Sequence, residues 1–429
     1  MPGRLNIFQR TMLLWNDLHP YHAVHIVRVV APLDLRRLGE VVNRTLATQK
    51  LGQVTLDAVR GTYFYESGGA HYEIETIPLG EDPCADLATE AGRQLNARFA
   101  HDQSFKPFRF FAASAKDSFF LGLVYFHAVA DGESVINLLK SLVDAYQGGG
   151  DATASELYPR NHDGILFRDP GLFARKFRAI TSQLLTLRRA RRVPCRDLQD
   201  MGNAVEFFSL TPDELQALRQ AGRTWGVTLN DLFLALLLTC LARPLAERPP
   251  TSRRTKLAVG CIVNLRKELG LAAQRVFGLF LGSFVVTCEP CPDSNLRELA
   301  QEVREQTVRI KANRLSVGTP LELRFAWLML RFLSLERRRK FYQKNYPLWG
   351  GLTNMNLDSI WPPKSGERAV EYLRAVSTGP ATPLVFSVTT VGGGVTVGLS
   401  YRPACFSAAE VEQLKSGFLA SVRFLRQPA

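Results

Sequence analysis

Apolar positions along this chain follow two rhythms, and the alternation between them predicts its elements. Tyr21–Val30 is rich in Val, Ile and His and predicts a strand. Pro32-Leu33-Asp34 then opens an amphipathic helix with Leu35, Leu38, Val41, Val42 and Leu46 on one face. Val54–Val59 and Thr62–Tyr65 flank Arg60-Gly61 as a hairpin, and Pro83–Phe99 predicts a second helix. Phe105–Ala113 and Ser118–His127 predict strands, followed by a helix over Gly132–Tyr146.

Gly148-Gly149-Gly150 begins a polar stretch to about Asp163, the best linker in the chain. A basic amphipathic segment follows over Leu172–Arg192, and after Gly202 the alternation of strand and helix resumes. Ala204–Leu210 predicts a strand. Thr211-Pro212-Asp213-Glu214 is a helix start, with Thr211 as cap and Glu214 at the capping-box position. Thr228-Leu229-Asn230-Asp231 opens a helix to about Ala242, apolar on every face and therefore expected to be buried all round. Lys256–Asn264 and Val276–Cys288 predict two buried strands, and Asn295–Arg314 and Leu321–Phe341 two helices. Glu371–Ser377, Pro383–Val391 and Val395–Tyr401 predict strands, and Ser407–Phe424 a closing helix. The pattern describes two α/β halves: 1–150, then 151–202 as linker and basic helix, then 203–429.

A chain of 429 residues with 46% apolar and 22% charged residues is an ordinary globular composition, which excludes a disordered chain, a collagen and a pure coiled coil. The net charge of +13 favours anionic partners, from phosphorylated cofactors and acidic carrier proteins to anionic lipids and nucleic acid. Seven scattered cysteines give no readable disulfide framework, and a reducing cytosol is the default. The first residues carry no apolar signal core. The longest apolar stretches, Leu232–Ala242 and Val276–Cys288, fall short of the ~20 residues of a spanning helix. The expectation is a cytoplasmic protein, soluble or peripheral to a membrane.

The chemistry concentrates in Phe119-Phe120-Leu121-Gly122-Leu123-Val124-Tyr125-Phe126-His127-Ala128-Val129-Ala130-Asp131-Gly132. A continuous apolar strand ends at a histidine. Four residues later an aspartate and a glycine begin a helix. That order places His127 at a strand end, within reach of a cleft, where an imidazole is well suited to take a proton near neutral pH. Asp131 can lock the backbone that presents the ring, through an arginine rather than by touching the imidazole. Gly132 permits a sharp turn and close approach. Taken alone, the same residues also describe a buried strand-end histidine followed by an ordinary turn into a helix.

The segment resembles the His-His-x-x-x-Asp-Gly signature of the CoA-dependent acyltransferase superfamily. That superfamily includes chloramphenicol acetyltransferase, nonribosomal peptide condensation domains, alcohol acetyltransferases, polyketide-associated acyltransferases and wax ester synthases. The second histidine of the signature, the catalytic one, matches His127, and Asp131 and Gly132 match the rest. The first histidine is replaced by Phe126. Four weaker features agree. The motif lies early, as in the two-lobed monomeric members. Val263-Asn264-Leu265-Arg266, followed by Phe277-Gly278-Leu279-Phe280-Leu281-Gly282, resembles the family's Asn-x-Arg strand and the segment after it. Gly351-Leu352-Thr353-Asn354 resembles the Ser-Asn segment by the tunnel, and Gly398–Ser407 the closing strand and helix. The Asp-Phe-Gly-Trp-Gly motif of the plant and fungal branch is absent.

The resemblance implies two chloramphenicol acetyltransferase-like lobes, each a mixed sheet with packed helices, and a tunnel between them. It implies that His127 is the general base, that Asp131 pairs with Arg266 from the second lobe, and that Phe126 and Asn354 line the tunnel. The implied reaction moves an acyl group from acyl-CoA or a carrier-bound phosphopantetheine thioester to an alcohol or amine. Neither a bound cofactor nor a metal is expected, and a two-lobed chain needs no second copy to complete its site. A catalytically silent docking module and a membrane-surface lipid or wax ester acyltransferase are the alternatives.

Other constellations lead elsewhere. Cys288-Glu289-Pro290-Cys291 lacks the second ligand pair of a structural zinc site. His19, His22 and His25 are dense, but on a strand His22 faces away from the other two. Gly392-Gly393-Gly394 lies between two strands and predicts a hairpin turn rather than a phosphate loop. The basic runs Arg188–Arg192 and Arg337–Lys340 suit a solvated helix face, an acidic carrier protein, CoA phosphates or an anionic membrane. No nucleic-acid module is visible, and nucleic acid is not an expected partner.

Overall fold

Two mixed sheets organise the chain in a computed structural model that describes residues 3–66, 70–101, 103–150, 154–159, 169–246, 253–272, 276–290, 295–362 and 370–426. The first half runs β1 (Gly3–Arg4), α1 (Ile7–Asn16), β2 (His22–Val29), α2 (Leu35–Thr48), β3 (Val54–Asp57), β4 (Thr62–Tyr65), β5 (Ile74–Thr76), α3 (Pro83–Asn96), β6 (Phe108–Ala115), β7 (Ser118–Phe126) and α4 (Gly132–Tyr146). The second half begins with β8 (Glu156–Leu157), α5 (Pro170–Arg188), β9 (Ala204–Leu210), α6 (Pro212–Trp225), α7 (Leu229–Ala246), β10 (Leu257–Asn264), β11 (Val276–Phe277) and β12 (Leu281–Cys288). It ends with α8 (Leu296–Ala312), α9 (Thr319–Leu330), α10 (Leu335–Asn345), β13 (Gly350–Asn356), β14 (Tyr372–Val376), β15 (Leu384–Val391), β16 (Gly394–Tyr401) and α11 (Ala408–Phe424).

The first sheet has the order β14-β2-β7-β6-β5 and the second β12-β10-β13-β15-β16-β9. The unbroken apolar run of β7 is explained by its place: it is hydrogen-bonded between β2 and β6, and every residue is buried. Helix α7 is the corresponding case in the second lobe. Leu232 through Leu238 are fully buried, as expected of a helix apolar on every face. Each such leucine stabilises the fold by about 1.5–3 kcal/mol relative to exposure. Among the described residues, no single helix is long and apolar enough to cross a membrane.

Local signals place most ends. Thr211 and Glu214 close a capping box at α6, and Ser407 and Glu410 close another at α11. The Gly392-Gly393 turn joins the antiparallel pair β15 and β16. Of the expected linker, residues 151–153 and 160–163 lie outside the described ones.

Several expectations are corrected. Val276–Cys288 is not one strand. It breaks between β11, which pairs with β8, and β12 of the second sheet, and the intervening Gly278-Leu279-Phe280 bonds the first lobe. Leu321–Phe341 is not one helix. It breaks between α9 and α10, where Ser334 caps the new helix and the Arg338 Nε–H donates to the carbonyls of Leu330 and Leu333 at 2.8 and 3.1 Å. Helix α1 was not expected, although Asn6 and Gln9 form a capping box ahead of its apolar run. Residues 203–429 do not all stay in the second lobe. Strand β14 pairs antiparallel with β2, and Tyr372, Leu373 and Ala375 sit in the first lobe's core. Cys195 and Cys405, 210 residues apart, are joined in a disulfide that no spacing announced.

Candidate active site

Strand β7 ends at Phe126, and the next residue, His127, enters a cavity of about 320 Å³ between the lobes. Tyr21, His25 and Tyr125 line it from the first lobe, and Val263, Ser283 and Asn354 from the second. The pleat explains this selection. Tyr125 and His127 share one face of β7, and Phe126 points to the other. Phe126 is therefore not a tunnel residue, contrary to expectation. Its ring is fully buried in the first lobe's core, packed against His22, Phe99, His101 and Phe105. Asn354, on β13, does line the cavity.

The His127 ring is held on three sides. It stacks on Tyr21 with a centroid distance of 5.4 Å and meets the edge of Tyr125 at 5.4 Å. Its Nδ1 lies 3.0 Å from the Ala130 carbonyl oxygen. A carbonyl can only accept, so Nδ1 carries the proton and Nε2 the lone pair. No described residue hydrogen-bonds Nε2. Burial lowers the His127 pKa, with the bond to Ala130 opposing it, so the ring is neutral at neutral pH.

The turn that presents this ring has each of its carbonyls tied. The Gln9 side-chain amide of α1 donates to the Ala128 oxygen at 3.0 Å, and the Tyr158 hydroxyl to the Val129 oxygen at 2.8 Å. His127 itself takes the Ala130 oxygen. Asp131 then caps α4, its Oδ1 accepting from the Ser134 amide at 3.0 Å. Gly132 follows where space runs out. A Cβ there would lie 3.0 Å from the Met355 sulfur and 3.4 Å from His25 Cε1.

Asp131 does not touch the imidazole with a hydrogen bond. It receives Arg266 in a two-pronged ion pair, Nη1 to Oδ2 at 2.7 Å and Nη2 to Oδ1 at 2.9 Å, with both side chains buried. The Phe280 amide adds a bond to Oδ2 at 2.9 Å. Ser134 completes the joint. Its hydroxyl accepts from Arg266 Nη2 and the Gly278 amide and donates to the Gly278 carbonyl. Gly278, at φ +157°, lies so close to Tyr158 that a Cβ would come within 2.7 Å of its ring. Arg266 is presented by Asn264, whose Oδ1 accepts from the Arg266 amide at 2.9 Å and whose side-chain amide donates to Glu133.

A second buried cluster shares the cavity wall. Arg374 of β14 is in register with His25 of β2. Its guanidinium donates to the Thr353 and Val388 carbonyls, each at 2.8 Å, and to the Thr389 hydroxyl at 2.8 Å, tying the first sheet to the second. Burial lowers its pKa to about 10, so it stays charged, and no described carboxylate pairs with it. His25 Nδ1 lies 2.5 Å from the Tyr372 hydroxyl, and burial holds this imidazole well below its ordinary pKa.

The structure thus gathers His127, Asp131, Gly132, Arg266 and Asn354 around one joint and one cavity, and turns Phe126 away from it. Sequence reasoning missed Gln9, Tyr21, Ser134, Tyr158 and Arg374. Ser134 alone had a local signal, three residues past a capping aspartate. His19 bonds Asn96 rather than a metal, and His22 is buried on the far face of β2. Among the described residues no cluster of three metal-ligating side chains is found, and Cys291 lies outside them.

No protein-family model matches the sequence, and no curated protein matches it. Solved structures do. The cyclization–docking bidomain of the EpoB nonribosomal peptide synthetase from Sorangium cellulosum superposes with a TM-score of 0.73 at 14% identity, over 100% of this chain and 85% of that one. The first condensation domain of the calcium-dependent antibiotic synthetase, with a bound substrate analogue, gives 0.72 at 18% identity over 99% and 96%. The condensation domain of the monacolin K polyketide synthase MokA gives 0.72 at 11% identity over 100% and 98%. At these identities the likeness speaks for the fold: this chain has the two-lobed, CoA-dependent acyltransferase-like fold of the condensation domains.

Proposed function

We propose that the protein transfers an acyl group from a thioester to an alcohol or amine, with His127 as general base. The observation that carries this reading is the fixed tautomer of His127. Its proton is committed to Ala130, and a neutral Nε2 is left at the cavity. The acceptor's O–H or N–H gives its proton to Nε2 as its heteroatom attacks the thioester carbonyl. A tetrahedral oxyanion forms, and its collapse expels the thiolate, which takes up a proton. In this reading Asn354 donates to that oxyanion, supported by its position in the cavity lining and by an amide that no described residue hydrogen-bonds. Asp131 and Arg266 act as positioning residues that hold the turn and the lobes.

The thioester arrives on CoA or on the phosphopantetheine arm of an acyl or peptidyl carrier protein, and the positive charge suits either anionic donor. A silent docking module draws no support from Phe126, because that position faces the core and not the cavity. The test is thiol release from a panel of acyl-CoAs and acyl carrier proteins with pooled alcohols and amines. Release that falls by about 10²- to 10⁴-fold in folded His127→Ala supports the base. Equal release from both proteins would remove it.

A further inference from the structure

We infer that the face formed by α5 and α9 docks on an anionic lipid bilayer, at the mouth of the His127 cavity. The two helices lie side by side. Phe173 stacks on Phe177, and Phe177 meets the edge of Phe325 across the helix boundary at 6.5 Å. Their outer surface carries Phe177, Leu185, Phe325, Leu328, Met329 and, just beyond α9, Phe332, all exposed. Phe332 is 73% and Leu185 61% exposed. Single exposed apolar side chains are ordinary, but a contiguous aromatic and aliphatic patch is a surface built to be covered.

Charge says by what. Residues 170–189 and 319–345, which take in α10 beside the two helices, hold twelve Lys and Arg against two Asp and Glu, ten net positive charges around this face, although Lys176 is buried against Glu322. Helix α5 has no acidic residue at all. Arg175, Arg178 and Arg331 are exposed beside the apolar side chains. The Arg331 guanidinium lies over the rings of Trp327 and Phe332, at 4.9 and 4.6 Å. Apolar side chains in the acyl layer with arginines at the headgroups is the arrangement of an interfacial helix on anionic lipid.

Continuity with the cavity selects a lipid surface over an acidic protein. Leu184, Phe325 and Met329 are exposed on this face and also line the cavity that holds His127. A lipophilic substrate can pass from the acyl layer to the base along apolar side chains without crossing water. The proposed contact is peripheral: it lies on the outer surface of α5 and α9, and no single described helix is long and apolar enough to cross a membrane.

The experiment is co-sedimentation of the full chain with vesicles of pure phosphatidylcholine and with vesicles containing phosphatidylglycerol. Binding is expected to the anionic vesicles only. It should weaken by about tenfold or more in high salt and in Leu328→Glu/Phe332→Glu, whose thermal unfolding should match the parent's. Arg178→Glu/Arg331→Glu should lose binding in the same way. The proposal is overturned by equal binding to both vesicle types, by no binding to either, or by variants that still bind. It is also overturned if the patch variants abolish self-association, or capture of an acidic carrier protein, while vesicles are ignored. Sedimentation requires no turnover, so this result stands or falls apart from the acyl-transfer reading.

Discussion

Asp131 and Arg266, 135 residues apart and contributed by different lobes, meet in a two-pronged ion pair at 2.7 and 2.9 Å, buried from solvent. The same carboxylate caps α4 and takes the Phe280 amide, so a single side chain fixes the turn after His127, a helix start and the crossing segment of the second lobe.

Removing one partner of this pair strands a buried charge. Arg266→Met should lower the unfolding free energy by about 3–5 kcal/mol, read by urea denaturation. Adding Asp131→Asn to Arg266→Met should cost much less than the sum of the two single changes. Additive effects would mean that the pair does not act as a unit.

The pH profile follows from the neutral imidazole. His127 has its pKa lowered below the ordinary 6.5, chiefly by burial, and only its unprotonated form can accept a proton. Thiol release should therefore rise with pH along a limb whose midpoint lies below 6.5, then level off by neutral pH. A midpoint above 7 is the outcome that this geometry does not allow.

Placing the first histidine of the resembled signature at position 126 should bring no gain in rate. Phe126 is enclosed by the rings of Phe99, Phe105, His101 and His22, on the face turned away from the cavity. Phe126→His should destabilise the fold by about 1–3 kcal/mol and leave turnover per folded molecule unchanged. A large rise in turnover would show that this position reaches the cavity after all.

His22 makes the first lobe sensitive to acid. Burial pushes its pKa down to about 3, and neither ring nitrogen has a hydrogen-bond partner among the described residues. The unfolded chain binds a proton at His22 near pH 6.5 and the folded chain does not. Stability from this group is thus present above 6.5 and lost as pH falls toward 3. At pH 5 the loss is about 2 kcal/mol. His22→Leu should remove that part of the slope when urea unfolding is compared at pH 7.5 and pH 5. An unchanged slope would assign the acid sensitivity to other groups.

The motif segment was legible because its information is local. A run of apolar residues long enough for a central strand, then His127, then a capping aspartate and a glycine, defines strand, turn and helix within about two turns of chain. The neutral state and tautomer of His127 were not legible. They depend on Tyr21, Tyr125 and Ala130 closing around the ring. Arg266 could be named only through motif order, since nothing near it in sequence indicates its partner.

By itself the sequence determined the elements whose causes lie within a few residues: period-two and helical apolar patterns, capping boxes at Thr211 and Ser407, and the Gly392-Gly393 turn. Tertiary structure decided what depends on register between distant segments. It broke Val276–Cys288 so that Gly278 and Phe280 could bond Ser134 and Asp131. It sent β14 into the first sheet, where Arg374 reaches back to Thr353 and Val388. It joined Cys195 to Cys405, and turned Phe126 into the core while His127 faced the cavity. Backbone propensity acts over a turn or two of chain. Pairing across a hundred residues or more is set by which faces bury together, and that becomes visible only once both lobes are in place.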